Sequence, residues 1–137
     1  MRIRQRAYLG LRSEVLRPDE ISRLVGMAPD REQRRGSLSE DPPRPVASSW
    51  ALDATDDVPV DEQVAELLRR IDPIADALRS LLARPDVGGT IEIVRELGHP
   101  DGVEEEGQHQ LLGFSLDVDV LARVAGLGLG MDVDEYG

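Results

Sequence analysis

Two segments of the chain carry one pattern. Pro18-Asp19-Glu20-Ile21-Ser22-Arg23-Leu24-Val25-Gly26 and Val118-Asp119-Val120-Leu121-Ala122-Arg123-Val124-Ala125-Gly126 place Asp, an aliphatic residue, Arg, an aliphatic residue and Gly at matching positions. Each follows a short apolar run with a central glycine, Tyr8-Leu9-Gly10-Leu11 in the first and Leu111-Leu112-Gly113-Phe114 in the second. A strand, helix, strand unit used twice is the strongest constraint on the fold, and it specifies a scaffold without specifying chemistry.

The elements between the repeats follow from periodicity. Residues 6–13 read as a strand. In the helix after it Pro18 takes the first position, Asp19 and Glu20 favour its N-terminal dipole, and Gly26 stops it. Residues 30–47, with Gly36, Pro42, Pro43 and Pro45 among charges and serines, read as a long loop. Residues 48–53 form a strand with Trp50 and Leu52 on one face. From Val60 to Leu82 the apolar residues recur at helical spacing, interrupted by Pro73, which predicts helices near 60–71 and 73–83. Strands are expected at 90–97, bounded by Gly88-Gly89, and at 110–115. Asp117 caps the second repeat helix, and Leu129, Met131 and Val133 alternate with Gly130, Asp132 and Asp134 in a half-buried closing strand. The expected fold is α+β in a single domain over residues 1–137. A mixed sheet of about five strands carries helices mainly on one face. Its two βαβ-like repeats have a ferredoxin-like tendency and an inserted helical rod lies between them.

Charge narrows the function classes. All 16 basic residues are arginine, against 27 acidic ones, for a net charge of −11. Residues 1–50 hold 10 arginines against 7 acids, whereas residues 51–137 hold 6 against 20. That balance argues against nucleic acid, whose phosphates demand a basic stripe. An acidic surface suits solubility or a basic protein partner. No run approaches the roughly 20 apolar residues of a membrane span, and the basic N-terminus lacks the apolar core of a signal peptide, so a cytoplasmic protein is expected. Cysteine is absent, which removes disulfides, thiolate metal sites and Cys nucleophiles. The arginine-rich composition fits a GC-rich bacterial genome.

The order of Pro18-Asp19-Glu20-Ile21, Leu24-Val25-Gly26-Met27-Ala28-Pro29, Arg34-Arg35-Gly36, Ser49-Trp50, Leu112-Gly113-Phe114-Ser115-Leu116-Asp117 and Met131-Asp132-Val133-Asp134-Glu135-Tyr136 resembles the bacterial family catalogued as domain of unknown function 4279, across nearly the whole chain. The resemblance implies a small bacterial protein without an established activity and supplies no catalytic residues. Its likeness to immunity proteins of bacterial toxin systems is one of size and genomic style.

Candidate sites are few. Arg31, Arg34, Arg35 and Arg44, with Trp50 near them in sequence, oppose the acidic trend; arginines fork onto carboxylate or phosphate, and a Trp either anchors a partner or fills the core. Glu104, Glu105 and Glu106 form an acidic run suited to a basic partner. His99, His109, Asp101 and these glutamates offer metal-ligand atoms at a spacing that matches no metal motif, and a solvated loop accounts for them. Asp132, Asp134 and Glu135 read as the charged face of an edge strand. Asp117 and Asp119 read as helix-end residues, and no glycine elbow surrounds Ser37, Ser39, Ser48 or Ser49. Gly126-Leu127-Gly128-Leu129-Gly130 lies between a helix and a strand, the reverse of a phosphate loop. Neither a metal nor a cofactor is expected. The leading reading is a non-enzymatic interaction module, immunity- or inhibitor-like, that binds a basic protein; the alternative is a small anionic-ligand binder or enzyme using the arginine-rich loop.

Overall fold

Alternation along one long strand organises the molecule. In β1 (Arg2–Ser13), Ala7, Leu9, Leu11 and Ser13 are buried, while Arg4, Arg6, Tyr8, Gly10 and Arg12 occupy the opposite face. The computed structural model, which describes residues 2–98 and 113–137, places β1 at the centre of a five-stranded sheet. With β2 (Arg31–Gln33), β5 (Ser48–Asp53), β6 (Val87–Gly98) and β7 (Gly130–Tyr136), the spatial order is β2-β5-β1-β6-β7. Among the described strands only the β6–β7 pairing is parallel, so the sheet is mixed. A separate ribbon pairs β3 (Ser39–Glu40) with β4 (Pro43–Arg44).

Register stacks the apolar residues on one face. Leu9 lies between Leu52 and Ile91, and Leu11 between Trp50 and Gly89. That face is covered by α1 (Pro18–Val25), α2 (Val60–Ile71), α3 (Ala75–Leu82) and α4 (Val118–Leu127), whose Ile21, Val64, Leu67, Leu68, Ile71 and Leu78 complete the core. A 3-10 turn at Asp72–Ile74 joins α2 to α3, where Pro73 denies the α-helix a backbone donor. Glu20 accepts a hydrogen bond from the Arg17 N–H at 3.1 Å and closes the start of α1, while Gly26, at φ 78°, ends it. None of the described helices is long and apolar enough to cross a membrane.

The α+β class and the one-sided helical layer match the sequence reading; four details do not. Residues 30–47 are not a continuous loop but contain β2, β3 and β4. The three residues of β2 are all exposed and charged or polar, so they show no apolar alternation to reveal an edge strand. β6 begins at Val87 and runs through the glycines expected to bound it. The helix of the second repeat continues past Gly126 because Leu127 extends the buried side begun by Val124; Gly128, at φ 87°, is the cap. Residues 113–115, expected as strand, are irregular, and 110–112 lie outside the described residues. The two repeats are therefore not equivalent units. β1 and β2 both pair antiparallel with β5, which lies between them, whereas β6 and β7 are adjacent and parallel.

Gly89 explains why β6 tolerates a glycine inside a strand. A Cβ there would meet side-chain carbons of Leu82 at 2.6 Å, Leu129 at 2.8 Å and Leu11 at 2.9 Å. Gly89→Val forces these leucines apart and is expected to destabilise by about 1–3 kcal/mol, read as a lower urea midpoint with an unchanged slope. A variant as stable as the parent would show that the three leucines have room to move.

Candidate functional site

Among the described residues the helices cover one face of the sheet and leave the other without them, and register orders the residues of that open face in rows across the strands. One row runs Arg31, Ala51, Gly10, Thr90 and Gly130. The next runs Asp53, Tyr8, Glu92 and Asp132, and beyond it lie Arg6, Val94 and Asp134. On the opposite flank stand Gln33, Ser49, Arg12 and Gly88.

The small side chains of the first row leave a trough. Two adjoining hollows share Tyr8, Gly10, Gln33 and Ser49: one of about 570 Å³ reaches Arg31 and Ala51, the other of about 530 Å³ reaches Arg12, Thr90, Glu92, Asp132 and the Pro45–Ser48 segment. Farther along the same face, Arg4, Arg6, Asp56, Asp57 and Glu96 surround a hollow of about 330 Å³.

Charge is handled differently on the two sides of the trough. At the β2 and β5 side the arginines are matched. Arg31 forks onto Asp53 with contacts of 2.8 and 2.9 Å and lies 4.8 Å from the centre of the Tyr8 ring, while Arg6 lies at 5.7 Å from it. Asp30 accepts hydrogen bonds from Arg70 at 2.6 Å and from the Asp53 N–H at 2.8 Å. These bonds, that from Arg70 first, hold the Asp30 carboxyl below its ordinary range. At the β6 and β7 side, Glu92, Asp132 and Asp134 form no ion pair among the described residues. Burial, then the charges of Asp132 and Asp134, push the Glu92 carboxyl above its ordinary value. Burial and then Glu92 likewise raise the Tyr8 hydroxyl. Glu135, on the helix-covered side, is paired with the buried Arg95 at 2.7 Å.

A family model described as Domain of unknown function (DUF4279) matches residues 2–137. The chain belongs to this family. No curated protein and no solved structure gives a significant match. The DUF4279 description assigns no activity, so roles for residues rest on geometry.

The residues singled out in the sequence do not form one site. Arg31 belongs to the open face. Trp50, offered both as anchor and as core, is fully buried on the opposite face, its indole N–H donating to Ser22 Oγ at 3.0 Å. Arg34 and Arg35 line a cleft of about 320 Å³ with Glu14, Arg17, Glu40 and Ser48. Arg35 is engaged there, donating to the Val46 carbonyl at 2.9 Å, while its backbone N–H donates to Ser48 Oγ at 2.9 Å. Arg44 sits exposed in the β3–β4 ribbon. Asp117 occupies the N-cap position of α4 but makes no side-chain cap bond. His99, Asp101, Glu104, Glu105, Glu106 and His109 lie outside the described residues. Among the described residues no cluster of three His, Asp or Glu side chains could hold a metal ion. Tyr8, Gly10 and Glu92 were missed by sequence reasoning. The signal that could have found them is the alternation of Arg4, Arg6, Tyr8, Gly10 and Arg12, a polar face on the longest apolar strand.

Proposed function

We propose that the protein is a non-enzymatic interaction module of the bacterial cytoplasm, immunity- or inhibitor-like, that binds a basic protein partner through the acidic side of its open sheet face. The observation that carries this reading is the trio Glu92, Asp132 and Asp134, set on neighbouring strands and, among the described residues, with no arginine paired to them. Like charges side by side on a sheet cost stability, and after burial it is the charges of Asp132 and Asp134 that raise the Glu92 carboxyl. A cationic partner would remove that cost. The alternative, a small anion held by the arginine-rich loop of Arg31, Arg34, Arg35 and Arg44, has support at Arg34 and Arg35, which share a cleft.

Stopped-flow association with a fluorescent arginine- and lysine-rich peptide tests the reading. The association rate should fall as salt rises toward 0.1 M, where screening acts over about 10 Å, and Arg34→Ala/Arg35→Ala should retain the binding. Failure of the peptide to bind at low salt, or loss of binding in the arginine variant, would remove the acidic-face reading. Inorganic phosphate raising the melting temperature of the parent but not of that variant would place the site in the cleft.

A further inference from the structure

Two glycines at adjacent positions in the sheet differ in what they are for. Gly89 is required by packing, since three leucine side chains occupy the space of its missing Cβ. Gly10 is not. A Cβ built there meets Tyr8 Cε2 at 3.5 Å and the Thr90 carbonyl at 3.9 Å, which are ordinary contacts, and its φ lies outside the left-handed region. A glycine inside a strand weakens that strand by about 0.5–1 kcal/mol relative to alanine. Where neither packing nor backbone angle demands it, the remaining reason is close approach by another chain or a ligand. Gly10 lies inside the central strand, paired on both sides, at the junction of the two hollows.

Resting on the reading above, we infer that this trough is a groove for an extended basic segment of the partner, which crosses the strands over Ala51, Gly10 and Thr90 and sets a Lys or Arg side chain against Glu92 and Asp132. Four strands from β5 to β7 span about 14 Å at the usual spacing, the length of about four extended residues. The groove supplies what such a segment needs. Its floor is low enough for a main chain to reach the sheet, Ser49, Thr90 and Gln33 offer hydroxyl and carboxamide groups to its amides, and Tyr8 forms a wall. Charge complementarity fixes the occupant. The arginine end of the groove is neutralised by Asp53, whereas Glu92 and Asp132 at the other end form no ion pair among the described residues and the nearby Arg12 is paired with Glu14, so the segment is cationic.

The test separates shape from charge. Anisotropy titrations would use a fluorescent octapeptide alternating Arg with Val, against the parent, Gly10→Val, Thr90→Phe and Glu92→Gln/Asp132→Asn. The first two fill the groove without altering charge, and each should weaken binding about tenfold or more while leaving the salt dependence as it was. The double charge variant should weaken binding and flatten the salt dependence. Backbone amide shifts of the parent, which need no variant to fold, should move on titration at Gly10, Ser49, Ala51 and Thr90. Parent-like affinity in both groove-filling variants, or shifts that avoid these amides, would overturn the groove while the charge variant still upheld an acidic binding surface. A parent that does not bind the peptide would overturn both.

Discussion

Gln63→Leu should destabilise the protein by about 2–3 kcal/mol although it exchanges one buried side chain for another of similar size. Gln63 is fully buried in α2, yet its polar atoms are all used. Oε1 accepts the Ala7 N–H at 2.6 Å, and Nε2 donates to the carbonyls of Gln5 at 3.0 Å and Val58 at 2.9 Å. The reason lies in the sheet. β5 pairs with β1 only as far as Tyr8 opposite Asp53, so the next inward N–H of β1 has no ladder partner on that side. The carboxamide takes the place of the missing strand. Leucine leaves the Ala7 N–H buried and unsatisfied, which costs about 1–3 kcal/mol. The two carbonyls suffer less because Asp57 N–H and Gln5 Nε2 also donate to them. Gln63→Glu gives the opposite pH signature from an ordinary surface acid. The new carboxylate would face two carbonyl oxygens in a dry site, so its folded-state pKa must rise above the unfolded value of about 4.3. Its stability is retained below the unfolded pKa and lost as pH rises through the folded one. Urea midpoints from pH 4 to 7, read through Trp50 fluorescence, check both variants. A leucine variant as stable as the parent would mean that the Ala7 N–H finds another acceptor.

What was legible in the sequence follows from which physical signal each element carries. Helices at 18–25, 60–71 and 75–82 show apolar residues at helical spacing between a proline or acidic start and a glycine or proline break, and all were placed within a few residues. Strand 48–53 was legible because the large apolar Trp50 and Leu52 alternate with the smaller or polar Ser49, Ala51 and Asp53. β2 was not. An edge strand that must resist pairing with other chains is short and polar, so its sequence resembles a loop. The symmetry of the repeat was overread for a related reason: matching capping and apolar residues specify two helices, but strand partners are chosen by the whole sheet. The functional surface was least legible. Its residues come from five strands and meet only through register, as Arg31, Gly10 and Thr90 do from positions far apart in the chain. The arginine cluster, visible in one dimension, drew attention to residues that the fold separates: Arg31 on this face, Arg34 and Arg35 in another cleft and Arg44 in the β3–β4 ribbon.

Trp50→Ala should be the most damaging single truncation on β5, costing about 3–5 kcal/mol, a large share of the roughly 5–15 kcal/mol that holds a domain together. The indole is the only one in the chain and is wholly inaccessible. It sits opposite Leu11 on β1 and reaches α1 through its bond to Ser22, so it ties the sheet to the helical layer rather than to any partner. Trp50→Phe isolates the polar part of that tie. It keeps an aromatic ring and loses the 3.0 Å bond, and Ser22→Ala loses the same bond from the other side while stranding a buried donor. If the bond is what links them, the two substitutions together should cost less than their sum by about 1 kcal/mol. Circular dichroism at increasing urea measures the parent and all four variants without relying on the indole. Trp50→Ala within about 1 kcal/mol of the parent, combined with lost binding of a basic peptide, would return this residue to the surface as an anchor and would contradict its position beneath the helices.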